Sequence, residues 1–371
     1  MFVFKDAYRD CRNAFLTAAQ AAGADIASYR LPGHDGPDGE GLFIDSALFG
    51  ASHAPGLLHI TSGTHGVEGP AGSNAQTRWI TAGGASRLPD NTAVAMVHAV
   101  NPWGFAYLSR TNENNVDLNR NFLPFPDIPP TPEVYGDYYN AFRLEALDEA
   151  SMAKVKRAFG ELRERDGMAK FMNVASGGQY THQDGMNYGG VEEQWQTKTV
   201  RSNFDRLAKG RKAVGIIDYH TGFGDYGDHV FLKFDPEGSE ALQRTRDWYG
   251  ADIIDRKTIG SHNEESGDFS QPTYAGLLSM DLVSRAPNPG SCTAVVIEFG
   301  TYPLMDLAMH GIRENWVRRE GAADTPEGRQ VIEDNFRMMS PSDADWQNKV
   351  TSLSQSHIEN AINGLSAQLY E

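Results

Sequence analysis

Three stretches of this sequence share one form: an apolar run that ends on a residue able to bind a metal or move a proton. LLHITSGTHGVEG offers His65 and Glu68, VGIIDYHTGFG offers His220, and AVVIEFGTYP offers Glu298. Two histidines and a carboxylate suit zinc, whose catalytic sites take three protein ligands and keep a fourth position open. His65 and Glu68 lie three residues apart, so one turn lets both grip a single ion. The third ligand must come from elsewhere, and His220 is the best-placed candidate. The sequence contains no HExxH, which excludes a site borne on one helix. A base for the attacking water is still required. Glu298 fits that role, because a carboxylate ending a fully apolar strand must be paired, metal-bound or at the mouth of a site. Singly, each residue has a plainer reading, such as a chance HxxE pair among 11 histidines or a strand-end histidine bonded to backbone. The weight lies in the joint pattern.

A fourth stretch, NPWGFAYLSRTNENNVDLNRNF (101–122), makes that pattern specific. HxxE, NPxG, an arginine followed by VDLNRNF, a strand-end His and a strand-end Glu stand in this order. Together they resemble the zinc carboxypeptidase superfamily, and within it a bacterial carboxypeptidase-like branch related to aspartoacylase and succinylglutamate desuccinylase. The likeness spans roughly residues 56–302. It implies one zinc ion held by His65, Glu68 and His220, with Glu298 as general base and then proton donor to the leaving amine. It implies that Arg110 polarises the scissile carbonyl and that Asn119 and Arg120 hold the substrate's terminal carboxylate. The chemistry of the side chains agrees with these roles. A guanidinium fork matches a carboxylate bidentately, and a cation beside a developing oxyanion stabilises the transition state.

A tyrosine that covers bound substrate in the superfamily has two candidates here, Tyr274 and its competitor Tyr302. Residues 274–288, with Met280, Asp281, Val283 and Arg285, would build part of the specificity pocket. The Gly-rich polar stretch SGGQYTHQDGMNYGG (176–190) is a candidate substrate lining. His182 and His262 sit on such loops and read as surface histidines.

Elements must position these groups. Apolar residues at 3–4 spacing predict helices over 6–22, 71–81, 141–165, 192–209, 239–250 and 342–369. Strands are expected at 26–31, 42–48, 56–61, 93–100, 214–219, 230–234 and 294–298. Residues 123–140, rich in Pro and Tyr, read as irregular. Continuous apolar strands alternating with helices indicate a three-layer α/β fold, with a mixed, mostly parallel sheet flanked by helices. Ligands of such sheets bind where strands end. The organisation expected is one carboxypeptidase-like domain, residues 1–371, with a helical insertion at about 141–210 and a C-terminal helical extension at about 304–371.

Composition bounds the partners. Of 371 residues, 33 are Lys or Arg and 49 are Asp or Glu, a formal charge of −16. That balance argues against a general phosphate-backbone binder and against docking on anionic membranes. The N-terminus carries Lys5, Asp6, Arg9, Asp10 and Arg12, so no signal-type apolar run is present. Two cysteines, Cys11 and Cys292, make no disulfide framework, and a cytoplasmic setting is expected. Zinc with Arg110 and Arg120, set against Glu68 and Glu298, would leave a cationic cleft inside this acidic chain. The function expected is a zinc-dependent hydrolase of an amide beside a free carboxylate, most simply a metallocarboxypeptidase acting on a small peptide. An N-acyl amino acid deacylase is the alternative, and a non-catalytic ligand-binding scaffold the second. The sequence leaves oligomeric state open.

Overall fold

The apolar runs become the middle of an eight-stranded sheet in the computed structural model, which describes residues 7–232, 234–252, 254, 258–259 and 273–370. The strands are β1 (Asp25–Asp35), β2 (Gly41–Phe49), β3 (Gly56–Ser62), β4 (Thr92–His98), β5 (Ala213–Gly222), β6 (His229–Leu232), β7 (Thr258–Ile259) and β8 (Cys292–Gly300). Their order is β1-β2-β4-β3-β5-β8-β6-β7. The central strands β4, β3, β5 and β8 run parallel, while β2 and β6 flank them antiparallel. Every residue of β3, β4 and β5 is buried, as expected of parallel strands covered on both faces.

Side chains alternate across the sheet. Leu58, Ile60, Met96, Tyr219 and Ile297 face one layer of helices, formed by α1 (Ala7–Ala21), α2 (Gly69–Thr81), α7 (Glu240–Tyr249) and α11 (Ala344–Gln368). Phe15, Trp79, Trp248 and Ile358 fill that side. Leu57, Val97, Val214 and Ile216 face the other layer, where α6 (Trp195–Ala208) and α8 (Leu278–Arg285) bring Phe204 and Leu282. A short helix, α3 (Pro102–Ala106), follows β4.

Beyond the sheet, α4 (Tyr135–Phe142), α5 (Glu149–Ser176) and α9 (Leu304–Arg319) share a separate apolar cluster that includes Tyr138, Phe142, Phe171 and Ile312. Helix α10 (Pro326–Met339) packs beside α9. Helix α4 corrects the expectation of irregular chain over 123–140. The prolines end at Pro132, and Tyr135, Tyr138 and Phe142 then recur at helical spacing and bury one face. Helix α5 also differs from the expected 141–165. It starts where Asp148 accepts from the Ser151 N–H at 2.7 Å. It continues to Ser176 through a break at Gly167, whose φ of 74° is not helical. No helix among the described residues is long and apolar enough to cross a membrane.

Candidate active site

Register places the first two groups. His220 and Glu298 are direct partners across the parallel β5–β8 pair. Each lies an even number of residues from inner positions facing α6 and α8, so both point to that face at the carboxyl ends of their strands. The other two come from the turn after β3. His65 precedes a 3-10 turn, Gly66–Glu68, that swings Glu68 back beside it. The turn needs Gly66, because a Cβ there would meet the Gly104 carbonyl carbon at 2.0 Å and the Phe105 nitrogen at 2.1 Å. That contact gives the NPWG motif its reason. Asn101 caps α3 by accepting from the Gly104 N–H at 2.9 Å, which holds the α3 backbone against the turn.

The result is a buried cluster of His65, Glu68 and His220 whose ligand atoms lie within 4.8 Å of one another. His65 Nδ1 is 2.8 Å from Glu68 Oε1, and His220 Nδ1 is 3.0 Å from Glu68 Oε2. The two Nδ1 atoms face each other at 3.2 Å. The far nitrogens each meet a buried carboxylate: His65 Nε2 stands 3.2 Å from Asp117 Oδ1, and His220 Nε2 stands 2.8 Å from Asp218 Oδ2. Ligating histidines characteristically turn their second nitrogen to a carboxylate, which fixes ring orientation and tautomer. Two inward nitrogens, a shared carboxylate and two carboxylates behind therefore fit a divalent cation.

Sequence reasoning missed Asp117 and Asp218 as orienting groups. Asp218 had a signal, since it lies two residues before His220 on the same face of one strand. Asp117 had none of that kind, because its partner His65 is 52 residues away. Thr61 and Thr64 donate to Asp218 at 2.7 and 2.9 Å, and the Asn119 N–H donates to Asp117 at 2.9 Å. Burial opposes the charge of Asp117, but Arg110 and His65 outweigh it and hold the carboxyl well below its usual range. For Asp218, His220 and the threonine hydroxyls outweigh burial and lower the carboxyl. The pair also corrects the cationic cleft expected from sequence, since their two negative charges offset the surplus.

Arg110 is about a quarter exposed and bridges the cluster, reaching Glu68 at 3.3 Å and Asp117 at 3.1 Å. Glu298 is 6% exposed, and its Oε2 has no hydrogen-bond partner among the described residues. Burial pushes the Glu298 carboxyl up to about 7, with the Glu68 charge adding to the rise and His220, His65 and Arg110 opposing it. An acid–base group acts best with a pKa near the working pH.

Arg120 is 4% exposed. It donates to the carbonyls of Asn119 and Ser176 at 2.7 and 2.6 Å, and its guanidinium carbon lies 4.5 Å from the centre of the Tyr274 ring. Asn119 accepts from the Leu278 N–H at 3.0 Å and so ties the motif to α8. Tyr274 thus stands at the cleft with Arg120. Its competitor Tyr302 is 38% exposed, outside the cavity, with its ring 5.5 Å from that of Tyr226. His182 packs on Tyr139 away from the cluster. His262 lies outside the described residues. Of the stretch 176–190, Ser176, Gly185, Met186 and Asn187 reach the cavity. That cavity, of about 370 Å³, is lined by His65, Glu68, Arg110, Arg120, Tyr274 and Glu298 at one part.

The profile of a family described as "Protein of unknown function (DUF2817)" matches residues 4–353. A search of curated protein sequences gives no match. Among solved structures, the chain is similar to carboxypeptidase A from Helicoverpa armigera, with 15% identity, 90% of this chain and 75% of that one covered, and a TM-score of 0.46. It is similar to bovine thrombin-activatable fibrinolysis inhibitor in complex with tick carboxypeptidase inhibitor (12% identity, 96% and 97% covered, TM-score 0.47). It is likewise similar to a metallo-carboxypeptidase from Burkholderia cenocepacia (14% identity, 97% and 69% covered, TM-score 0.47).

Proposed function

The chain belongs to the DUF2817 family, and since that description assigns no chemistry, we propose from the site itself a zinc-dependent hydrolase that cleaves an amide beside a free carboxylate. In its simplest form it is a metallocarboxypeptidase. The observation that carries this reading is the convergence of His65, Glu68 and His220 beside Glu298, with a carboxylate behind each histidine.

His65 Nδ1, Glu68 and His220 Nδ1 would hold the ion, while Asp117 and Asp218 keep the rings turned inward. Zinc bound there supplies a Lewis acid for the scissile carbonyl and makes a water acidic enough to ionise near neutral pH. Glu298, unpaired at Oε2, takes the proton of the attacking water and hands it to the leaving nitrogen. Arg110 presents its exposed side to the carbonyl oxygen as negative charge develops, a donor of a kind worth about 3 kcal/mol in the transition state. Arg120 spends three of its N–H groups on backbone carbonyls. A guanidinium has five, so two are left for the substrate's carboxylate, with Asn119 beside them and Tyr274 over them.

Zinc-loaded protein should hydrolyse N-blocked dipeptides or N-acyl amino acids, and a chelator should abolish that activity. Metal content well below one ion per chain in freshly purified protein would sink this reading in favour of a binding scaffold.

A further inference from the structure

The cavity does not end at the cluster of charges. From the metal-ligand side it continues between α5 and α9, where Phe159, Phe171, Met172, Ala308 and Ile312 line it. None of these lies on the sheet, and Phe171, Met172 and Ile312 belong to the apolar cluster shared by α4, α5 and α9. Helix α9 turns one broad face to this space, with Leu304, Ala308, Gly311 and Asn315 along a stripe at 3–4 spacing and Glu314 beside it. The middle of that stripe is small. A Cβ added at Gly311 would meet only the Met186 Cε, at 3.4 Å, so the room there is unfilled by the protein itself. At the mouth, Leu304 and Met305 line the same cavity while standing 40% and 39% exposed. Large apolar side chains left in water beside a cleft commonly mark a binding surface.

Charge in the cavity points the same way. Among the described lining residues, the cation besides Arg110 and Arg120 is Arg163, an exposed residue. A second carboxylate on the substrate would enter this arm with no buried cation among the described residues to receive it and with Glu314 in the lining, at the cost of desolvation. An aromatic ring or aliphatic chain would gain about 25 cal/mol for each Å² of apolar surface removed from water.

We propose that this arm binds a bulky apolar group of the substrate, so that the substrate is an amide carrying an aromatic or long aliphatic group in addition to its free carboxylate. This deepens the hydrolase reading and rests on it. The arm selects the substrate, and the cluster on the strands cuts it.

The test is a panel assayed on zinc-loaded protein: N-acyl phenylalanine and N-acyl glycine with acetyl, octanoyl or succinyl acyl groups, and the matching blocked dipeptides ending in Phe, Gly or Asp. Members with an octanoyl or phenylalanyl group should exceed their small and acidic counterparts in kcat/KM by about tenfold or more, the scale at which an apolar pocket discriminates. The substitution Ala308→Phe fills the arm and should reduce kcat/KM for the bulky members about tenfold more than for the small ones, and Ala308→Val should do so to a smaller degree. Preference for succinyl or aspartyl members overturns the proposal, as does an equal loss on all members in both variants while the melting temperature is unchanged. If no member turns over at one zinc per chain, the hydrolase reading fails. Binding of N-phenyl-1-naphthylamine then decides the arm separately. Fluorescence enhancement that Ala308→Phe removes supports an apolar site, and no enhancement in the parent protein overturns it.

Discussion

The cavity has two parts built in opposite ways. One stands on strand ends and is polar. There the side chains of His65, His220, Asp117, Asp218 and Glu68 lock one another through bonds of 2.8 to 3.2 Å. The other stands on α5 and α9, outside the sheet, and its lining is mainly apolar. In the first, position is set by register: β5 and β8 cannot slip by one residue without turning His220 and Glu298 to the wrong face. In the second, position is set by packing, which tolerates volume-conserving exchange. On the proposed reading, the chemistry lies on the sheet, while selectivity lies on elements that can be altered without moving a strand.

The largest expected effect falls on the polar part. Glu298→Gln keeps the shape but removes the base, and turnover should fall by about three to four orders of magnitude with metal content unchanged. Loss of the metal along with activity would make Glu298 a ligand and redraw the boundary between the cluster and its base.

Acid should also act on the sheet. His59 and His98 are fully buried in β3 and β4, edge-on to Phe204 and stacked on Phe15. Burial lowers both from 6.5 to about 4. The unfolded chain takes up those protons first as pH falls, so stability is fully present above about 6.5 and is lost between 6.5 and 4. Each ring accounts for up to about 3 kcal/mol. Urea midpoints measured from pH 7 down to pH 5 should fall steadily, and a flat profile would show that these rings are reached by water.

Next comes Asp218→Asn. It keeps a partner on His220 Nε2 but removes the charge that fixes the ring, and zinc affinity should weaken about 10- to 100-fold by competition with a chromogenic chelator. An unchanged affinity would mean the ring is held by the strand alone. Smallest is Tyr302→Phe. With Tyr274 beside Arg120 and Tyr302 outside the cavity, kcat/KM should change by less than about twofold, as for an ordinary surface substitution. A larger loss would move the substrate-covering role to Tyr302.

The strands carrying the site were legible because each is a continuous apolar run, as in VGIIDYH and AVVIE, and because the motifs of 101–122 named the turn residues. The arrangement behind them was less so. Arg120 donates to the carbonyls of its own neighbour and of Ser176, 56 residues on, at the end of a helix whose kink at Gly167 left no periodic trace. Helix α4 was hidden by the prolines preceding it. Even the net charge of the cleft depended on Asp117 and Asp218, whose burial next to histidines is a fact of tertiary contact and not of pattern.

The Ser176 carbonyl that anchors Arg120 closes the α5 helix, and that same helix carries Phe159, Phe171 and Met172. Trimming α5 would therefore remove the anchor of Arg120 as well as part of the apolar lining. An engineer grafting this segment from one relative to another would transplant anchor and pocket as one cassette, and a chimera joined between Met172 and Ser176 would separate them.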